Sequence, residues 1–247
     1  MCRTPLHTDF LINLPVLKGH CQTRLTCVLK NIKGLIPDSE KRRYHTLGIH
    51  KPLAKLNKVI KSHLIIVDGL MGDLCFEEGG TPVEMDRLIL GKDPVLIDSF
   101  AAELMGYAPS EIEYILLSER EGIGSSHTKA AIITEYRAEL KKGITIKGLS
   151  EKITRLSRFI EAKNACSACY GGLVHAMERL YTTKNLKMQN AKIYVGQGWQ
   201  SCNSSTLPED GIGIGKCTAA FKKTLPGCPP KAIEIVDFLV NCFIQKS

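Results

Sequence analysis

Four cysteines in the last third of the chain constrain its fold more than any other feature. Cys166-Ser167-Ala168-Cys169 is a C-x-x-C pair, Cys217 ends the run Gly211-Ile212-Gly213-Ile214-Gly215-Lys216, and Cys228 stands in Pro226-Gly227-Cys228-Pro229-Pro230. Two intervening residues suit a tight turn that lets both thiolates of the pair face one metal centre. The later two cysteines lie in backbone rich in residues that permit turns and close approach. The chain is therefore expected to fold back so that all four sulfurs converge on one point. A Cys-Pro step is a familiar neighbour of iron-sulfur ligands, because proline removes one N–H and fixes the exit direction while glycines free amides to donate to sulfur. The expected occupant is an iron-sulfur cluster of the 4Fe-4S type. A Cys₄ zinc site is the alternative, although zinc sites usually show two close pairs and here ten residues lie between Cys217 and Cys228. A thioredoxin-type dithiol at Cys166 and Cys169 is a third reading, but the preceding strand and chain-early helix it needs are missing. Cys21, Cys27, Cys75, Cys202 and Cys242 read as small buried side chains, and Cys2 as terminal.

Ten cysteines in a chain whose first residues lack an apolar h-region argue for a reducing compartment, and hence for metal ligands over disulfides. The expected location is the cytoplasm. No window supplies the about 18 apolar residues of a membrane span. The charge is lopsided: residues 1–63 carry 12 Lys/Arg against 3 Asp/Glu, and five of the seven histidines. This front segment is a candidate anion-binding surface, or alternatively a solvated basic face.

Along the chain, Asp9–Leu14 reads as a short buried strand stopped by Pro15, while Thr23–Leu35 is undecided between helix and strand. Leu53, Leu56, Val59 and Ile60 keep helical spacing after Pro52, and His63–Val67 is an apolar run closed by Asp68-Gly69, as a buried parallel strand would be. Arg87–Leu90 reads as a strand, and Val95–Met105 as a helix entered through Asp93-Pro94. Amphipathic helices are expected at Pro109–Glu121, Lys129–Lys142 and Ser150–Ala162. Later come a helix from Gly172 to Tyr181, a strand at Lys192–Val195, a glycine-rich loop at Gly211–Gly215 and a last helix from Pro229-Pro230 through Phe243. The predicted class is α/β, a mixed or mostly parallel sheet flanked by helices with a small cysteine-bearing C-terminal lobe. The expected division is an α/β domain over 1–125, a helical connection over 126–162 and a cluster-binding lobe over 163–247.

Two phosphate motifs fail on inspection. A P-loop needs glycine where Asp210 sits and Ser or Thr where Cys217 sits, and the dinucleotide fingerprint after Gly196-Gln197-Gly198 needs glycine at Ser201. Lys18, His20, Lys30 and Asn31 could converge on a carboxylate or phosphate at the end of the sheet, near Asp68 or Asp98. These two acids read as strand-end carboxylates of the kind that border ligand sites in α/β folds, and Asp93 reads as a helix N-cap. Few aromatics accompany the front lysines, so nucleic-acid binding is not expected.

The stretch Asp9-Phe10-Leu11-Ile12-Asn13-Leu14-Pro15-Val16-Leu17-Lys18-Gly19-His20 is followed by Thr26, Leu29–Gly34, Val67-Asp68-Gly69 and Gly91–Asp98. Together these resemble the bacterial and archaeal family known as domain of unknown function 362. The resemblance covers about half the chain. It implies an iron-sulfur protein, since members are often so described, and Cys166-x-x-Cys169, Cys217 and Gly227-Cys228-Pro229-Pro230 are similar to the pattern in many of them. It implies no settled reaction. Members usually carry a further α/β segment before the Asp9-like strand, so an N-terminally shortened version is expected. The function that follows is electron transfer to a redox partner protein or to a small anionic substrate.

Overall fold

A computed structural model describes residues 4–20, 22–73, 82–136, 155–183 and 192–244. The chain is an α/β protein of two compact units, one made of Met1–Tyr44 with Gly48–Leu149, the other of His45–Leu47 with Ser150–Ser247.

The first unit is built on β4 (Leu64–Asp73). On one side β1 (Ile12–Asn13) and β2 (Val16–His20) run parallel to it, with β3 (Arg24–Thr26) antiparallel beyond β2. On the other side lies antiparallel β5 (Pro82–Gly91). Of the strand expected at 9–14 only Ile12–Asn13 pairs; the ladder resumes as β2 after Pro15, which has no N–H to give it, though its carbonyl accepts from Asp68 N at 2.8 Å. The undecided stretch 23–35 holds β3, the helix α1 (Val28–Asn31) and a 3₁₀ turn at Ile32–Leu35. It is followed by α2 (Asp38–Thr46), α3 (His50–Val59), α4 (Pro94–Leu104) and α5 (Glu113–Arg120). Leu17, Leu25, Leu29, Leu53, Ile65 and Tyr114 are fully buried in one core. Each such apolar side chain contributes about 1.5–3 kcal/mol of burial.

Asp93 caps α4 as its sequence position suggests. Its Oδ1 accepts from the backbone N–H of Val95 (2.8 Å) and Leu96 (2.9 Å), and its Oδ2 from Ser125 N (2.9 Å). Asp68 and Asp98, by contrast, are not at strand ends. Asp68 lies inside β4, which continues to Asp73, and it is exposed on the side of the strand opposite buried Val67. Asp98 sits within α4 at zero exposure, and its carboxylate receives Val28 N at 2.7 Å and Leu29 N at 3.1 Å. It thereby satisfies orphan donors at the start of α1.

The second unit contains four short parallel strands in sequence order: β6 (Ile160–Ala162), β7 (Ile193–Val195), β8 (Ile212–Ile214) and β9 (Lys223–Leu225). The helices α6 (Ser167–Thr183) and α7 (Ala232–Ile244) belong to the same unit. Two expectations are corrected here. Residues 160–162, assigned to the end of a helix and to a helical connection, are a strand; residues 155–157 are helical as expected, and 150–154 lie outside the described residues. The glycine-rich loop at 211–215 contains β8, whose three residues are all buried between β7 and β9. A three-residue strand is only about 10 Å long, so residues 215–222 suffice to return the chain to the start of the next parallel strand. Of the helix expected at 129–142, residues 128–130 form a 3₁₀ turn, residues 131–136 are irregular, and the rest lies outside the described residues.

Burial pushes the Asp98 carboxyl up to about 7, against the pull of its bonds from Val28, Leu29, Cys27 and Tyr114. Unfolded, it titrates near 3.8. Between those values the folded state holds the extra proton, so the first unit's stability should fall as pH rises through that window. The slope approaches about 1.4 kcal/mol per unit. Urea unfolding followed by circular dichroism from pH 4 to 8 checks this. Asp98→Asn should flatten the profile, and Asp98→Leu should destabilise at every pH by leaving the α1 donors unmet.

Candidate metal centre

The strands of the second sheet share one register row: Ala162 pairs with Val195, Val195 with Ile214, and Ile214 with Leu225. Because the strands are parallel, all four chain exits leave one edge of the sheet at one level. Each exit turns through a residue of positive φ: Asn164 at 48°, Gly196 at 117°, Gly215 at 92° and Gly227 at 133°. Backbone bonds lace the exits together, with Gly215 N donating to Leu225 O and Lys216 N to Gly227 O, both at 2.8 Å, and Gln197 N to Asn164 O at 3.3 Å.

This edge carries the cysteines. Cys166 follows β6 and immediately precedes α6, Cys169 lies in the first turn of α6, Cys217 sits in the 3₁₀ turn Lys216–Thr218 after β8, and Cys228 follows β9. Cys228 is exposed and the other three are half-buried. Their proximity is electrostatic as well as topological. Burial, then the charges of Cys166, Cys228 and Cys217, push the Cys169 thiol up to about 12. Burial and Cys228 push Cys217 up, with Lys216 pulling it back. A cation at this edge reverses that repulsion and favours the thiolates. Among the described residues no three His, Cys, Asp or Glu side chains meet as a single metal ion requires. The thiols therefore share an edge rather than converging on one point. Cys2, Cys21 and Cys75 lie outside the described residues; Cys27 and Cys242 are buried.

One member of this edge escaped the sequence reading. β7 contributes Gln197, whose side-chain Nε2 donates to Cys166 Sγ at 3.5 Å. The available signal was the parallel between Ile193-Tyr194-Val195-Gly196-Gln197 and Ile212-Gly213-Ile214-Gly215-Lys216, two strands with the same glycine exit.

The four residues of the anion-binding expectation are held by internal contacts in the first unit. Lys18 lies on β2 opposite Thr26. Buried His20 accepts at Nδ1 from Gln22 N and Thr23 N, both at 3.1 Å. Buried Lys30 donates to Thr26 Oγ1 at 2.7 Å, and Asn31 donates to Asn13 Oδ1 at 2.7 Å. Asp98 accepts from the backbone N–H groups of Val28 and Leu29 at the start of α1, whereas Asp68 is on the outer side of β4, where its Oδ1 accepts from Leu70 N at 3.0 Å.

The fold and edge define a two-unit α/β protein whose second unit presents four thiols from parallel-strand exits. Residues 1–103 match the family model described as Domain of unknown function (DUF362), so the resemblance read from the front of the chain is to that family. All four cysteines lie beyond the matched residues. A curated relative, the thylakoid-associated protein sll1697 of Synechocystis, is 26% identical over 151 residues, covering 57% of this chain and 46% of that protein. The chain thus spans about half the length of the curated relative it matches. No solved structure matches. Among the described residues no helix is long and apolar enough to cross a membrane.

Two outcomes follow from this geometry. A Cβ on Gly196 would stand 2.1 Å from Lys163 O, and one on Gly215 would sit at a φ that L-residues rarely adopt. Gly196→Ala and Gly215→Val should each cost about 1–3 kcal/mol or more in thermal unfolding. Gly172→Ala should be nearly neutral, since its Cβ meets Ile235 Cδ1 at an ordinary 3.6 Å. In metal-free protein at pH 8, iodoacetamide should modify exposed Cys228 well before Cys169, as read by peptide mass spectrometry.

Proposed function

We propose that Cys166, Cys169, Cys217 and Cys228 hold a 4Fe-4S cluster, and that the protein passes electrons to a partner protein or a small anionic substrate, as an electron carrier or an iron-sulfur oxidoreductase. The observation that carries this reading is the single register row that delivers four thiols to one sheet edge. A four-iron cube binds each thiolate through a different iron, so its ligands surround a volume. A zinc ion draws all four sulfurs to about 2.3 Å from one centre, which asks more movement of thiols that do not already meet. Half-burial of three cysteines, with one exposed, suits a group that must exchange electrons with a partner while staying partly shielded from water. The compartment proposed is the cytoplasm, where thiols stay reduced. The name of the Synechocystis relative describes that protein's association with thylakoids.

The test is metal and sulfide analysis of anaerobically purified full-length chain with its visible spectrum. About four irons and four sulfides per chain are expected, with broad visible absorbance that each of the four Cys→Ser variants abolishes or sharply reduces. Colourless protein containing stoichiometric zinc would establish the Cys₄ zinc alternative instead.

A further inference from the structure

Three of the four strand exits lead to a cysteine of the set; the exit of β7 leads to Gln197. This exit is built like its neighbours. Gly196 turns at positive φ and fits only because it has no side chain, Gln197 N donates to Asn164 O at 3.3 Å, and Gly198 N donates to Lys163 O at 3.0 Å. The backbone of residue 197 is thus tied on the exit of β6, the same exit that carries Cys166. From there the Gln197 amide reaches both Asn164 O (3.5 Å) and Cys166 Sγ (3.5 Å) through Nε2. A neutral amide N–H aimed at sulfur adds no charge to the edge. It favours electron-rich sulfur over the neutral thiol, because hydrogen bonds to the charged form stabilise it.

We propose that Gln197 is a positioning residue for Cys166, orienting its sulfur and, by donating to it, stabilising the more reduced state of whatever redox centre the thiols bind. The second half of this statement rests on the iron-sulfur reading; the first does not. A donor to a cluster sulfur offsets negative charge that builds on reduction, so it raises the midpoint potential. Gln197 would thereby set the potential from outside the ligand set, on the strand exit that supplies no ligand.

Two measurements on the full chain separate the two claims. In metal-free protein, the side-chain amide ¹H–¹⁵N resonances of Gln197 should move in Cys166→Ala and stay in place in Cys242→Ala, a buried cysteine on α7. Unmoved resonances in Cys166→Ala overturn the contact, whatever the metal content. In anaerobically purified protein, Gln197→Leu should retain the visible absorbance per chain and lower the midpoint potential. Gln197→Glu, which matches the native shape but offers only acceptors, should lower it further. Equal potentials in wild type and Gln197→Leu, at equal cluster content, overturn the tuning role. Wild-type protein without iron overturns the cluster reading and the tuning role with it, while the amide resonances still decide whether Gln197 positions Cys166.

Discussion

The second unit depends on one row of backbone pairing. Ala162, Val195, Ile214 and Leu225 stand side by side in a parallel ladder, and parallel pairing sends every chain out of the same edge. With strands only three residues long, there is little room for the exits to diverge. They leave at one level and bond to each other's carbonyls. A slip of one residue in any strand would turn its side chains to the other face and displace its exit. The position of the thiols is thus a consequence of sheet register before it is a property of the cysteines.

The two units handle buried ionisable groups in opposite ways. In the first, the isolated carboxyl of Asp98 is met from within by two backbone N–H groups at the start of α1 and by the neighbouring Cys27 and Tyr114 side chains. Its hydrogen bonding is internal, and its role is to fix α1 on α4. In the second, the neighbours of a thiol include other thiols, and Cys169 is driven up to about 12 by burial and by three like groups. Such an arrangement is electrostatically unfavourable for ionised sulfur until positive charge arrives. Internal satisfaction marks the first as architecture; in the second, like groups oppose one another's ionisation.

Glycine has a defined task at this edge. Gly196 and Gly215 occupy matching positions after β7 and β8, each with positive φ and ψ of 162°. The space at Gly196 admits no Cβ at all, with Lys163 O and Ala165 N both within 2.7 Å of where it would lie. Steric exclusion and the allowed backbone region therefore select glycine independently at the same point. The repeated exit makes the edge a stack of similar turns, in which Gln197, directly after its glycine, matches Lys216 in the turn after β8 and Cys228 in the turn after β9.

Much of the first unit was legible in the sequence. The apolar run at 63–67 is the start of β4, and Asp93-Pro94 before an apolar helical pattern fixes the entry to α4. These signals are local, residing in periodicity and in capping chemistry. The sequence singled out the four cysteines by their spacing and glycine-rich surroundings, and the convergence on one point expected of them is not what the described residues show. What the sequence could not carry was whatever depends on a partner distant in the chain. Three-residue strands are too short for any period to emerge, so β6 resembled the end of a helix and β8 a loop. Asp98 looked like a strand-end acid because its use, closing the first turn of α1 from seventy residues away, is visible only when both helices are in place. Residue types and local turns were thus determined by the sequence alone. The sharing of one edge by Cys166, Gln197, Cys217 and Cys228 was decided by tertiary structure, because it follows from which strands pair and in what register, and pairing is a long-range interaction.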